Sequence, residues 1–380
     1  MAGWCGLAGW RYATCMGARI IGHEDIIREL RALAASDEPP HALLFAGPEG
    51  TGRTALAIEY ALLLNCERLN PPTTAGASLF GDDPSLLPPP PSLDPCGECR
   101  PCRLILEGAH PDIITLGPGD TLCKPRDAES HPKHPDSRDI RICQVRGLIE
   151  LVARYPFEAR QRVILIDPAD RFGRDAAHTV LKTLEEPPGH TIFCLISAAP
   201  EAILETILSR CRRIDVRPVP RADVEAGLVA RGFERPVAVL AAGASRGKPG
   251  RAIEFATHPD LMGDRGRLLE RCARIAGAPL RERFAYAGDL AERWRKDRHA
   301  ILAEIDTWES FWEERLREGV AAGEGKEAMA GYVEALRAIV TARADLQANV
   351  MARPAFELML LCFPRVTLAT SPEEESAAYA

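Results

Sequence analysis

The chain has 380 residues, 46% of them apolar and 27% charged, the composition of a globular protein with two or three domains. A net charge of −7 argues against a surface dominated by phosphate contacts, so any nucleic-acid contact is local or shared with partners. No apolar run reaches the roughly 20 residues that cross a bilayer, and no basic leader with a clean apolar stretch marks a secretory signal.

Residues 1–17, "MAGWCGLAGWRYATCMG", read as a dispensable extension, with Met16 a plausible initiator. Residues 18–35 carry apolar positions at helical spacing, an amphipathic helix. "HALLFAG" (41–47) is a buried strand ending in glycine, and 54–65 return to helical spacing. Residues 67–95 then break the pattern with four consecutive prolines, Pro88 to Pro91. Proline at that density suits neither helix nor central strand, so this is a surface insertion. Residues 117–138 read as a similar loop.

Order resumes with a helix over 139–156, a strand over 161–167, a helix over 174–188 stopped by Pro187 and Pro188, and a strand over 191–197. A helix over 201–211 and a strand over 212–219 complete the series. Short apolar strands alternating with helices predict a mainly parallel sheet covered on both faces. From 220 the strands stop. The plan is α/β then all-α: an α/β domain over 18–219, a small helical unit over 220–260, a helical domain over 261–366 and a disordered acidic tail over 367–380.

Four motifs carry chemistry. "GPEGTGRT" (47–54) is close to the phosphate loop G-x-x-x-x-G-K-[ST]. Gly47, Gly50, Gly52 and Thr54 are present, but Arg53 replaces the lysine. Glycines let backbone N–H groups face phosphates, and the helix start adds its positive end. Arginine keeps the charge in a larger, planar form. The plain alternative is a glycine turn between strand and helix.

Asp167 closes the second strand, where phosphate-loop ATPases hold magnesium. Pro168 follows it and offers no base. Asp170 could partly substitute, although capping a surface helix is the plainer role. ATP binding at this loop is therefore left open, and hydrolysis is not expected.

The third motif is "CGECRPC", Cys96, Cys99 and Cys102 at two successive C-x-x-C spacings. A structural zinc takes four ligands. Cys66 is the best fourth, with His110 and Cys123 as rivals. The fourth motif is "TILSRC": Arg210 stands between a helix and a strand, where it either caps the helix or projects into a neighbour.

"HALLFAGPEGTGRT", "CGECRPC", "VILIDPADRF", "LKTLEEPP" and "TILSRC", in this order, resemble the bacterial clamp-loader ATPases of DNA polymerase III. The resemblance covers 18–260 and, through "LQANVMARPAFELMLLCFP", 346–364. It implies an AAA+ phosphate-loop domain with a zinc module inserted within 66–110, a helical lid and a helical collar. It implies a five-subunit ring with gamma/tau and delta subunits that acts in the cytoplasm on a sliding clamp and primed DNA. Arg210 would be an arginine finger for the adjacent subunit's ATP, and Arg251 in "GKPGRA" would take the sensor-two place. Arg53, Pro168, Ala198 in place of a sensor threonine, and His178 in place of asparagine depart from the active pattern. They imply the non-hydrolysing stator member, with a gamma/tau-type motor ATPase as the alternative.

Overall fold

In β1 (Ala42–Ala46), β3 (Arg162–Ile166) and β4 (Thr191–Ser197) every residue is buried. Strands hidden on both faces need cover on both sides, which parallel strands joined by helices provide. A computed structural model shows how. It describes residues 20–36, 38–70, 94–120, 122–123, 137–348 and 350–365. The expectations for 1–17, for the proline run of the insertion, for most of the 117–138 loop and for the tail lie outside these residues.

Five parallel strands run in the order β2-β3-β4-β1-β5, with β2 at Ile113–Leu116 and β5 at Arg212–Asp215. Leu44 registers with Leu195 on one side and Arg213 on the other. Alternate residues face opposite ways. Leu43, Phe45, Val163, Leu165 and Cys194 pack under α1 (Glu24–Ala34), α2 (Arg53–Asn65) and α3 (Arg100–Leu106). Leu44, Ile164, Ile166, Phe193 and Leu195 pack under α4 (Ile142–Val152) and α5 (Arg174–Glu185). Each such side chain contributes about 1.5–3 kcal/mol by leaving water.

Three elements differ from the sequence expectation. β2 is a fifth strand: it has four residues, of which only Leu116 is fully buried, and an apolar stretch this short did not stand out as a strand. α3 has seven residues and lies inside the cysteine cluster, too short to show a period. The helix expected over 201–211 is broken. Pro200–Ala202 form a 3-10 turn, Ile203 and Leu204 are extended, and a short α6 spans Glu205–Leu208. Ile203 and Ile207 still reach the core from the two pieces.

α7 (Arg221–Ala230), α8 (Arg235–Ser245) and α9 (Pro249–Thr257) pack together after the sheet. The chain divides into two compact units, one ending at Thr257 and one starting at His258. The second consists of α10 (Pro259–Gly277), α11 (Leu280–Lys296), α12 (Arg298–Ala322), α13 (Lys326–Gln347) and α14 (Ala352–Leu361). Its core gathers Trp308, Trp312, Phe356 and Phe363. The buried Arg283 donates to the carbonyls of Ala278, Leu360 and Phe363, which ties the start of α11 to the end of α14. No helix among the described residues is long and apolar enough to cross a membrane.

The edge of the sheet is fixed by a buried ion pair. The Asp112 carboxylate accepts the N–H groups of Phe157, Glu158 and Ala159 at 2.9, 2.8 and 3.0 Å and meets Arg162 at 3.2 Å. Burial alone would raise the carboxyl pKa, but these N–H donors and the Arg162 guanidinium outweigh it and hold the pKa below its ordinary value. A depressed folded value means that the stabilisation is complete above the unfolded value of about 3.9 and is lost as pH falls through the folded value. Asp112→Asn is expected to cost about 3 kcal/mol near pH 7. In urea unfolding the two proteins should converge as the pH drops below about 4; equal midpoints at pH 7 would contradict this account of the pair.

Candidate functional site

The parallel sheet brings the ends of β1, β3 and β4 to one edge. Gly47 leaves β1, and its N–H donates to the Ser197 carbonyl at the end of β4. A Cβ at position 47 would lie 2.0 Å from the Val216 carbonyl oxygen, so only glycine fits there. Gly52 caps α2 at φ 102°, a left-handed conformation that glycine takes without strain. Between them the Thr51 hydroxyl donates to the Pro48 carbonyl at 2.8 Å. His23 Nε2 lies 2.8 Å from the Thr51 carbonyl and ties the start of α1 to the turn. The loop therefore keeps the shape its glycines announce, with the N-terminus of α2 behind it.

Thr54, in the first turn of α2, donates from Oγ1 to Asp167 Oδ2 at 2.7 Å. This bond joins the loop to the end of β3. Burial raises the Asp167 pKa, opposed by the Thr54 hydroxyl and the Arg53 charge. Arg53 lies beside these groups. Burial lowers its pKa, while Asp167, Glu49 and Asp170 raise it. Its Nη1 is buried and has no hydrogen-bond partner among the described residues. An unpaired buried guanidinium nitrogen at a helix start is a fit for an anion, and a phosphate is the anion such a turn cradles.

Pro168 follows Asp167, and the next carboxylate, Asp170, accepts from Ser197 Oγ at 2.6 Å. Asp170 thus corrects the sequence reading: it caps no surface helix, but sits in a short 3-10 turn over Ala169–Arg171 and braces the end of β4. Ala198, the next residue, presents only a methyl group. Arg251, expected near the phosphates, lies in α9, whose start touches the loop: the Gly250 N–H donates to the Gly50 carbonyl at 2.9 Å. Its own side chain meets Glu254 at 3.1 Å and covers the Phe255 ring. The fold brings Arg251 to the cradle by its backbone and directs its guanidinium along α9.

Cys66 ends α2, Gly97 turns the chain at φ 71° after Cys96, Cys99 caps α3, and Cys102 lies in its first turn. The C-x-x-C spacing thus sets two thiols on one helix start and one on the preceding turn. All four sulfurs lie within 4.8 Å of one another, and Cys66 and Cys96 are 3.6 Å apart. A tetrahedral zinc with bonds of about 2.3 Å separates its sulfurs by about 3.8 Å, so the four thiols suit a metal ion. Burial raises each of the Cys99 and Cys102 pKa values. At Cys96 burial is outweighed by N–H donors from Cys99 and Glu98 and by the neighbouring thiols, and the pKa falls to about 7. Of the rivals, His110 is buried and accepts the Asp112 N–H at Nδ1, and Cys123 lies against Cys143; neither joins the cluster.

Arg210 follows α6 and precedes β5. Its Nη2 donates to Glu185 Oε1 at 2.7 Å and its Nη1 to the Thr206 carbonyl at 2.8 Å. Its side chain is 35% exposed. The guanidinium caps the helix end through Thr206, as the plainer sequence reading has it, and the side chain stays partly open to solvent. His23 and Glu185 were not singled out from sequence. Glu185 had a visible signal, the first of two acids that precede Pro187 and Pro188, whereas His23 had none.

A parallel sheet with this glycine loop, a strand-end aspartate and a following helical trio defines a phosphate-loop domain of the AAA+ class. The family model described as "DNA polymerase III, delta subunit" matches residues 87–220. The DNA polymerase III subunit delta' of Pseudomonas aeruginosa is 31% identical over 270 residues, covering 71% of this chain and 66% of that protein. Subunit tau of Bacillus subtilis is 32% identical over 200 residues, covering 53% of this chain and 29% of its own length. A solved gamma subunit-related protein of DNA polymerase III from Thermotoga maritima is 16% identical, with a TM-score of 0.39, over 90% of this chain and 99% of that one. The chain belongs to the family of DNA polymerase III clamp-loader subunits that includes delta'. The alignments span somewhat under two thirds of the Pseudomonas relative and less than a third of the Bacillus one.

The cysteine cluster is open to a direct test. Metal analysis of the purified protein by atomic emission is expected to give about one equivalent, lost in Cys99→Ser. Unchanged metal content in that variant would remove the centre.

Proposed function

We propose that this chain is a delta'-type clamp-loader subunit, a stator that does not hydrolyse ATP itself and serves a neighbour's ATP through Arg210. Asp170 carries this reading. The acid nearest after Pro168 is engaged by Ser197 at 2.6 Å, so the strand end that should activate water has a phosphate cradle and no base. General-base catalysis needs a group within hydrogen-bond reach of the nucleophile. The delta-type family model and the larger share of delta' than of tau that is matched support the same member of the family. A gamma/tau-type motor would have to work with an arginine in the lysine position and with no residue to orient water.

On this reading the residues divide the work. Gly47, Gly50, Gly52 and the start of α2 shape a phosphate pocket, with Arg53 as its cation. Thr54 and Asp167, already joined, would hold a magnesium ion if nucleotide enters. Residues 220–260 act as the lid and 261–366 as the collar that joins gamma/tau and delta subunits in a five-membered ring. Cys66, Cys96, Cys99 and Cys102 hold a structural zinc, which closes the chain on either side of the proline-rich insertion without an open coordination position for catalysis. Arg210 supplies positive charge where negative charge builds on a transferring phosphoryl group. The assembled ring would work in the cytoplasm, placing a sliding clamp on primed DNA.

The test uses the reconstituted ring. Arg210→Ala is expected to slow hydrolysis at the adjacent subunit's site by about a thousand-fold, with ATP still bound there. Unchanged turnover in single-turnover measurements of that site would end the finger reading.

A further inference from the structure

Glu185 and Arg210 belong to separate motifs, "LEEPP" and "TILSRC", yet their side chains meet at 2.7 Å. Local structure fixes both. Glu185 is the last helical residue of α5, and Glu186 leaves the helix at φ −124° and ψ 71° into Pro187. Proline bars a further helical turn and restricts the residue before it, so the glutamate is held at a set point. Its backbone lies at the negative end of α5, which adds to the attraction for a cation. On the other side α6 is four residues long, and Arg210 is tied to it through the Thr206 carbonyl at 2.8 Å and more weakly through Ser209 Oγ at 3.4 Å.

These contacts engage Nη1 and one side of Nη2. Nε and the second hydrogen of Nη2 have no partner among the described residues, and a guanidinium binds an oxyanion through just such a pair of donors. The side chains are 35% and 43% exposed, and an exposed pair adds little to stability. Orientation is what the contact supplies. A long arginine loses rotamer freedom when it is fixed, and a finger already fixed before charge develops avoids that loss during the reaction.

We infer that Glu185 is a positioning residue for Arg210, holding its guanidinium in the direction from which it meets the phosphate of an adjacent subunit. This rests on the finger reading of Arg210, and the experiment separates the two. ATP turnover of the ring reconstituted with its partner subunits is measured at varied ATP for wild type, Glu185→Ala, Glu185→Gln, Arg210→Ala and the double variant, with assembly checked by mass. Glu185→Ala is expected to lower kcat at the served site about two- to five-fold, with KM and assembled mass unchanged. Glu185→Gln keeps a carbonyl acceptor and is expected to recover most of the rate. In the Arg210→Ala background Glu185→Ala should have no further effect, since the two act as one unit. If kcat of Glu185→Ala is unchanged or raised while Arg210→Ala is slow, the positioning role is overturned and the finger stands. A drop that persists without Arg210 also overturns it. If Arg210→Ala is as fast as wild type, both readings fall together.

Discussion

Two-sided burial of β1, β3 and β4 is the constraint on which the rest of the first unit depends. Strands buried on both faces cannot be joined by hairpins in this arrangement; each returns through a helix, so all run the same way. The consequence is geometric. The residues that follow β1, β3 and β4 all emerge at one edge of the sheet: Gly47, Asp167 and Ala198. The Thr54–Asp167 bond and the Gly47 N–H to the Ser197 carbonyl then close that edge into a cradle. The site follows from the core.

What stands in that cradle decides its chemistry. The turn, the helix start and a cation stand together, the elements that suit a phosphate. The positions from which the proposed stator reading draws are different: position 168 is a proline, position 198 carries a methyl group, and Asp170 accepts from Ser197. The glycine turn is held by backbone bonds, Gly47 N–H to the Ser197 carbonyl and Val216 N–H to the Ala46 carbonyl, independent of the side chains at positions 168 and 198. Arg210, at the end of α6, is the charge that the proposed function assigns to a partner; its side chain is 35% exposed. The cysteine cluster lies at the far end of α2 from the glycine loop. A metal held by the four thiols would tie the end of α2 to the start of α3.

Much of this was legible in the sequence, for identifiable reasons. Strands with every residue buried leave continuous apolar runs, so β1, β3 and β4 were plain. The glycine loop and the cysteine spacing were plain because each encodes a local geometry. Cys66 could be ranked but not fixed, since its distance in space from Cys96 depends on a long return path; 3.6 Å between their sulfurs decided it against His110 and Cys123. β2 was missed because a half-exposed edge strand of four residues has no period to detect. The break before α6 was missed because Ile203 and Ile207 keep helical spacing although Ile203 and Leu204 are extended and the helix begins only at Glu205. The partners of Asp170, Arg251 and Arg210 are contacts between distant segments, and no single stretch of sequence states them.

The central claim is that this chain performs no hydrolysis of its own. The direct measurement is ATP turnover by a ring in which the hydrolytic sites of all partner subunits have been disabled, leaving this chain intact. The account gives a rate no higher than the same ring carrying Thr54→Ala in this chain. Turnover above that level, abolished by Thr54→Ala, would contradict it and make the cradle of Gly47, Arg53 and Asp167 an active site.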